Sequence, residues 1–185
     1  MEFSDWFNEI LEKADIVDLR YPVKGMPVYK PWGFEIMRRC FDLLEEKLEK
    51  TGHKESLFPI LIPSEFLEKE AEHMKGFSDQ VFWTSEGERK MAIRPTSETI
   101  MYPMFAMWIR SHRDLPLRVH QTCCVYRCET KATRPLIRGR EVFWNEAHTA
   151  HENYKDAEEQ VKLAIKIYSE FYDRLGVPYM ILRRP

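Results

Sequence analysis

The chain has 185 residues, with 28 Lys and Arg against 30 Asp and Glu, a formal net charge of −2. That balance argues against a histone-like nucleic-acid binder and against a disordered tail. With 44% hydrophobic and 31% charged residues, the composition is that of one globular domain able to bury a core without disulfides or metal. No apolar run approaches the roughly 20 residues that span a bilayer. Met1-Glu2-Phe3-Ser4-Asp5 lacks the basic and apolar stretches of a signal peptide, so the expectation is a soluble, cytoplasmic chain.

In chain order, Phe3, Trp6, Phe7, Ile10 and Leu11 lie at helical spacing over residues 3–14, with Ser4 as the expected cap. Pro22, Gly25, Pro27, Pro31 and Gly33 mark 20–33 as loop or irregular extended chain. Phe34, Met37, Phe41, Leu44 and Leu48 recur at three- and four-residue steps, which predicts a core-facing helix over 34–50 closed by Gly52. Residues 55–63 read as a short apolar strand, and Pro59, which cannot donate to a ladder, leaves it one unpaired or intersubunit side. Ser64 caps a short helix to about Glu72. Residues 81–83 and 90–94 read as strands joined by a polar turn over 85–89. Thr96 or Ser97 caps a helix running towards His112, irregular or kinked at Pro103.

Residues 117–128 and 139–149 are extended runs, and the polar link 129–138 makes them a long hairpin with a mobile, cationic loop. Asn153 caps a last helix whose Ala157, Val161, Ala164, Ile165, Tyr168, Tyr172 and Leu175 are expected to face the core. Gly176 and Pro178 stop it, and a final strand is expected over 178–183. Helices alternating irregularly with hairpin-linked strands give an α+β class with a mostly antiparallel sheet.

Charge is uneven. Between 110 and 140 there are eight cations, seven of them Arg, against Asp114 and Glu129, a net of +6 that leaves −8 for the remainder. Alternation puts Arg127 and Glu129 on one strand face and Arg138, Arg140, Trp144, Glu146 and His148 on one face of the returning strand. Two readings follow: a surface salt-bridge ladder, or a pocket for a phosphate that satisfies the excess of Arg, which Trp144 among the charges favours. There is no GxGxxG and no GxxxxGK[ST], so a nucleotide here is held by side chains on a sheet. Cys40, Cys123, Cys124 and Cys128 contain no CxxC pair. Adjacent Cys123 and Cys124 point to opposite strand faces, and the thiols read as small buried hydrophobes rather than metal ligands.

Three stretches carry a resemblance: 33–63, a long helix followed by a strand with Pro59; Arg94-Pro95-Thr96-Ser97-Glu98-Thr99; and 119–148, with Tyr126-Arg127-Cys128-Glu129 and Arg134-Pro135-Leu136-Ile137-Arg138-Gly139-Arg140-Glu141. Over essentially its whole length the chain resembles the catalytic domain of class II aminoacyl-tRNA synthetases, specifically the prolyl-tRNA synthetase family of the archaeal and eukaryotic type. The resemblance implies an antiparallel sheet flanked by helices, incomplete here. Residues 1–185 would be a catalytic domain with the first and second motifs present and the third motif and anticodon-binding domain absent. It implies ATP-dependent activation of L-proline to prolyl-adenylate and transfer to tRNA(Pro), with ATP and Mg²⁺, in a homodimer formed through the first motif at Pro59.

Position by position, the resemblance places Arg127 at the α-phosphate and the substrate carboxylate as the catalytic residue. Glu129, Arg138 and Gly139 fall at ATP, with Val142 and Phe143 where an adenine-stacking residue is sought. Thr96 and Glu98 fall at proline, Trp144 at its ring and His148 nearby, and Lys131 and Arg134 at tRNA; no side chain is assigned to a metal. Thr96 reads equally as a helix cap and Glu98 as a first-turn acid. The proline carboxylate is already ionised at neutral pH, so the reaction asks for cations rather than a general base. The competing readings are a catalytically inactive class II-like fragment that dimerises or binds RNA, and a generic RNA-binding domain using the +6 stretch.

Overall fold

The computed structural model describes residues 2–69, 80–129 and 131–183. The first helix, α1, runs Phe3–Lys13, but Ser4 does not cap it: Glu2 holds the cap position and the Ser4 hydroxyl accepts from Arg134 instead. Of its apolar stripe only Leu11 is buried, while Phe3, Trp6 and Ile10 are exposed. The irregular stretch that follows contains a two-stranded ribbon, β1 Val17–Asp18 against β2 Val28–Tyr29. Helix α2, Pro31–Lys50, starts three residues before its apolar pattern, because Pro31 in the first turn lacks only an N–H that has no helical partner there. Gly33 lets this turn lie on the preceding chain: a Cβ there would sit 2.1 Å from the Ile16 carbonyl oxygen. Gly52, at φ +87°, ends the helix as expected.

The apolar run 55–63 is not one strand. Lys54–Glu55 (β3) and Leu61–Pro63 (β4) belong to different sheets, and Pro59 lies in exposed irregular chain between them. Helix α3 spans Ser64–Lys69; its expected end at Glu72 lies outside the described residues. Strand β5 (Phe82–Glu86) is longer than predicted, β6 (Arg89–Ile93) begins one residue earlier, and the two meet in a tight turn at Gly87, φ +58°. Helix α4, Glu98–Trp108, carries Pro103 in its interior. It is followed by a 3₁₀ turn, His112–Asp114. The long hairpin is present: β7 (Leu117–Tyr126) pairs antiparallel with β8 (Glu141–Ala150) over ten residues, from Leu117↔Ala150 to Tyr126↔Glu141.

Among the described residues the strands form three sheets, β1–β2, β3–β7–β8 and β4–β6–β5. Their pairings are antiparallel except β3 beside β7. The main core, which includes Phe58, Ile62, Ala92, Met101, Phe105 and Val119, joins β4, β6, α4 and β7. Helix α5, Tyr154–Leu175, is capped by Asn153 and ended by Gly176 in the left-handed conformation, as predicted. Its buried face is not the predicted one. Ile167, with Leu163 and Phe171 beside it, packs on Leu44 and Leu48 of α2, whereas Val161, Ile165, Tyr168, Tyr172 and Leu175 are exposed. The helix carries two apolar stripes, and contact with α2 selects the other one. Residues 178–183 take no strand pairing among the described residues. No helix among the described residues is long and apolar enough to cross a membrane.

Candidate active site

The hairpin presents two faces. On the inner one, Val119, Gln121, Cys123 and Val125 stand opposite His148, Glu146, Trp144 and Val142. Trp144, Glu146 and His148 thus share a face, as alternation required. Arg138 and Arg140 do not belong to that ladder; they lie in the connection, because β8 begins only at Glu141. The connection folds back, and a cavity of about 400 Å³ gathers Val125, Arg127, Glu129, Arg138, Gly139, Val142 and Trp144.

Arg127 is held from several directions. Its guanidinium lies 5.5 Å from the Trp144 ring centroid, its Nε donates to the Pro95 carbonyl at 3.4 Å, and its backbone N–H donates to the Arg140 carbonyl at 2.7 Å. Arg138 pairs with Glu129 across the cavity. The Arg140 N–H donates to the Gly25 carbonyl at 2.8 Å, and Gly139 fills a gap where a Cβ would meet the Glu141 carbonyl at 2.8 Å.

The 94–98 loop reaches Arg127 through the Pro95 carbonyl. Thr96 does not cap α4; its hydroxyl donates to the Glu98 carboxylate. Ser97 holds the cap position but makes no capping bond, and its hydroxyl donates instead to Glu146 Oε1 at 2.5 Å. Glu146 also accepts from Gln121 Nε2 at 2.7 Å on Oε1 and lies 3.1 Å from His148 Nε2 on Oε2. Burial alone would raise the Glu146 carboxyl, but the hydrogen bonds from His148, Ser97 and Gln121 outweigh it and hold the group below its ordinary range. His148 faces Tyr102 with its other nitrogen, Nδ1 to hydroxyl 3.3 Å, and does not line the Arg127 cavity. Burial pushes the Cys123 thiol up to about 11, so it stays protonated. All four cysteines are free.

Sequence reasoning gave no site role to Ser97, Gln121 or Arg94. Ser97 looked like a cap, and the other two make long-range bonds with no local signature. Arg94 is buried and donates to the Phe58 carbonyl at 2.7 Å and the Cys124 carbonyl at 2.9 Å.

Phe143 lies on the opposite face from Val142 and Trp144. It packs on Phe41 and Phe34, with ring centroids 5.0 and 6.1 Å away, and lines a larger, mostly apolar cavity of about 730 Å³ against α2 and the 19–29 stretch, which shares Arg138, Gly139 and Val142 as a wall with the Arg127 cavity. Phe143 itself does not line the Arg127 cavity. Lys131 is exposed, and Arg134 is half-buried, tied to Ser4 and 5.8 Å from the Phe3 ring; neither lines the Arg127 cavity. Among the described residues no group of three His, Cys, Asp or Glu side chains is placed to hold a metal ion.

The model of the class II tRNA synthetase core domain shared by the G, H, P, S and T enzymes matches residues 81–184, and the chain belongs to that family. Among its members the similarity is to proline–tRNA ligases: 56% identity to that of Methanopyrus kandleri and 52% to that of Methanocaldococcus jannaschii. Each comparison covers 100% of this chain and 39% or 42% of the relative. The chain spans about two fifths of the length of these relatives.

Among solved structures, Giardia lamblia prolyl-tRNA synthetase in complex with prolyl-adenylate superposes with a TM-score of 0.89 at 47% identity, covering 92% of this chain and 35% of that one. Cryptosporidium parvum prolyl-tRNA synthetase complexed with halofuginone and AMPPNP gives 0.87 at 38% identity, covering 95% and 37%.

Proposed function

We propose that this chain carries the amino-acid and ATP-binding face of a cytoplasmic L-proline–tRNA ligase, as the first- and second-motif part of its catalytic domain. The observation that carries the reading is the placement of Arg127. Its guanidinium stands on Trp144, bonded to the loop of Thr96 and Glu98 and open to the cavity of Arg138 and Glu129. A cation at that junction can touch the carboxylate of an amino acid on one side and a phosphate on the other.

In the first step a proline carboxylate oxygen attacks the α-phosphorus of ATP, forming the acyl–phosphate bond as the bond to the β-phosphate oxygen breaks and pyrophosphate leaves. The carboxylate needs no proton removed, so the work falls to orientation and to cations that meet the developing charge. In this reading Arg127 orients both anions, Arg138 exchanges Glu129 for phosphate, and Glu98, buttressed by Thr96, meets the ammonium of proline. In the second step a ribose hydroxyl of tRNA(Pro) attacks the carbonyl and AMP leaves. Mg²⁺ would arrive on the nucleotide's phosphates. The described side chains form no cage for it, Glu129 being engaged by Arg138, so no step is assigned to it. Exposed Leu57, Ile60 and Leu61 around Pro59 support pairing with a second copy, and exposed Lys131 supports contact with tRNA.

The test is proline-dependent ATP–pyrophosphate exchange, with alanine and cysteine as competitors, alongside calorimetric binding of proline and ATP. Expected are proline-selective binding and exchange, with exchange reduced about 10²- to 10³-fold in Arg127→Ala, the range for removing one charge-stabilising donor. Absence of proline binding, or near-normal exchange in Arg127→Ala, overturns the reading. RNA binding that is steep in salt and indifferent to proline would favour the RNA-binding module instead.

A further inference from the structure

We propose that Gln121 is a positioning residue for the amino-acid end of the site; what that site takes rests on the proline reading above. Its side chain is wholly buried on the inner face of β7, and no step above uses it. A carboxamide offers one acceptor oxygen and two donor hydrogens, and here all are engaged. Oε1 accepts from the Phe58 N–H at 3.0 Å, while Nε2 donates to Ser97 Oγ at 2.8 Å and to Glu146 Oε1 at 2.7 Å.

Two consequences follow for the pocket. Ser97 stands between Thr96 and Glu98, so anchoring it fixes the loop that presents both. Glu146, held by Oε1, keeps Oε2 towards His148 Nε2 at 3.1 Å. An ionised carboxylate only accepts, so His148 carries its proton on Nε2 and leaves Nδ1 to accept a hydrogen bond from the Tyr102 hydroxyl. One buried amide thereby sets both the position of the substrate loop and the tautomer of His148.

A position with only a packing role has no use for this arrangement. An apolar pair at 121 and 146 would fill the same space without desolvating a carboxylate and an amide. The third bond ties the arrangement to the 56–60 segment, since the Phe58 carbonyl is also held, by Arg94 Nη1 at 2.7 Å.

The test uses ¹⁵N-histidine-labelled chain with Gln121→Met, which keeps the volume and removes the amide, and Ser97→Ala, which removes one arm with little risk to folding. The His148 ring-nitrogen shifts, read without any ligand, report its tautomer; calorimetry reports proline and ATP affinity. Expected are a single Nε2-protonated form in the wild type and a mixture of tautomers in Gln121→Met. Proline binding should weaken at least tenfold in that variant and less in Ser97→Ala, with ATP affinity within twofold of wild type in both. If Gln121→Met does not fold, Ser97→Ala decides by the same shifts. An unchanged His148 tautomer with proline affinity within twofold of wild type overturns the proposal, even if stability falls. A wild-type chain that binds no proline overturns the proline reading alone, and the ligand-free His148 shifts then decide the role of Gln121.

Discussion

Replacing Glu146 should separate what its carboxylate does as an acceptor from what it does as a charge. It takes hydrogen bonds from Ser97 at 2.5 Å and Gln121 at 2.7 Å, both fully buried, and from His148 at 3.1 Å. In Glu146→Ala, the Ser97 hydroxyl and one Gln121 hydrogen lose their acceptor where water cannot replace it, at about 1–3 kcal/mol for each stranded donor. Relief from burying a carboxylate offsets part of this, and the side-chain void adds to it, for a net loss of about 2–4 kcal/mol. Glu146→Gln keeps an oxygen for Ser97 and Gln121 and only turns an amide towards His148, which can switch tautomer in response. That should cost about 1 kcal/mol. Against a typical domain stability of about 5–15 kcal/mol, both are measurable as shifts of the urea midpoint at pH 7 with the slope unchanged. The reasoning fails if Ala is no more destabilising than Gln, since the acceptor role would then be immaterial.

Two further outcomes follow from the same structure. Burial lowers the pKa of His53 below its ordinary 6.5, and the net effect on Glu146 is a pKa below 4.5. In both cases the folded state binds protons less readily than the unfolded chain. Stability should therefore be fully present above pH 6.5, decline first as His53 is forced to charge and again below pH 4.5 as Glu146 protonates. Urea midpoints against pH should show a smaller first descent in His53→Gln, His151 still contributing, and a smaller second descent in Glu146→Gln, other carboxylates still contributing; unchanged profiles would refute the assignments. In Gly139→Ala, the new Cβ would lie 2.8 Å from a backbone oxygen that has little room to move. The loop carrying Arg138 should shift and weaken ATP binding about tenfold, with proline affinity unchanged by calorimetry.

The hairpin was legible because ten residues of alternation on each side leave one register that buries Val119, Gln121, Cys123 and Val125 together. The same period of two places Phe143 away from Val142 and Trp144, so the family pattern that drew it towards ATP conflicts with the chain's own alternation. The 55–63 run misled because its apolar residues fit a strand, while the Phe58 backbone is captured by the side chains of Gln121 and Arg94, 63 and 36 residues away. Ribbon strands of two residues, such as β1 and β2, are too short to show a period. Helix α5 carries two apolar stripes, and only the tertiary contact with α2 selects between them. Ser97 was noticed for its residue type, and its actual partner lies 49 positions on.

The two ends of the candidate site are built on different physics, and in the proposed reading the difference suits an amino acid at one end and a nucleotide at the other. The end at the 94–98 loop is dry: Ser97, Gln121 and Glu146 form a buried set in which each bond is costly to leave unmade, so the loop of Thr96 and Glu98 is held in place without a ligand. In the proposed reading that rigidity serves discrimination of a small ring, where a pocket has little binding energy to work with. The end at Arg138 and Glu129 is wetter. Arg138 is exposed and Glu129 only partly covered, and an ion pair in such a setting contributes about 0–1 kcal/mol. Exchanging that carboxylate for a phosphate therefore costs little, because a planar guanidinium meets phosphate oxygens in pairs as readily as those of a carboxylate. Arg127 stands where the two regimes meet, backed by the Trp144 ring and the Pro95 carbonyl. Its position is inherited from the rigid side while its charge serves the adaptable one. Substitutions in the buried set should accordingly act on amino-acid affinity, and substitutions over 129–140 on nucleotide affinity, with Arg127 the position at which both fall together.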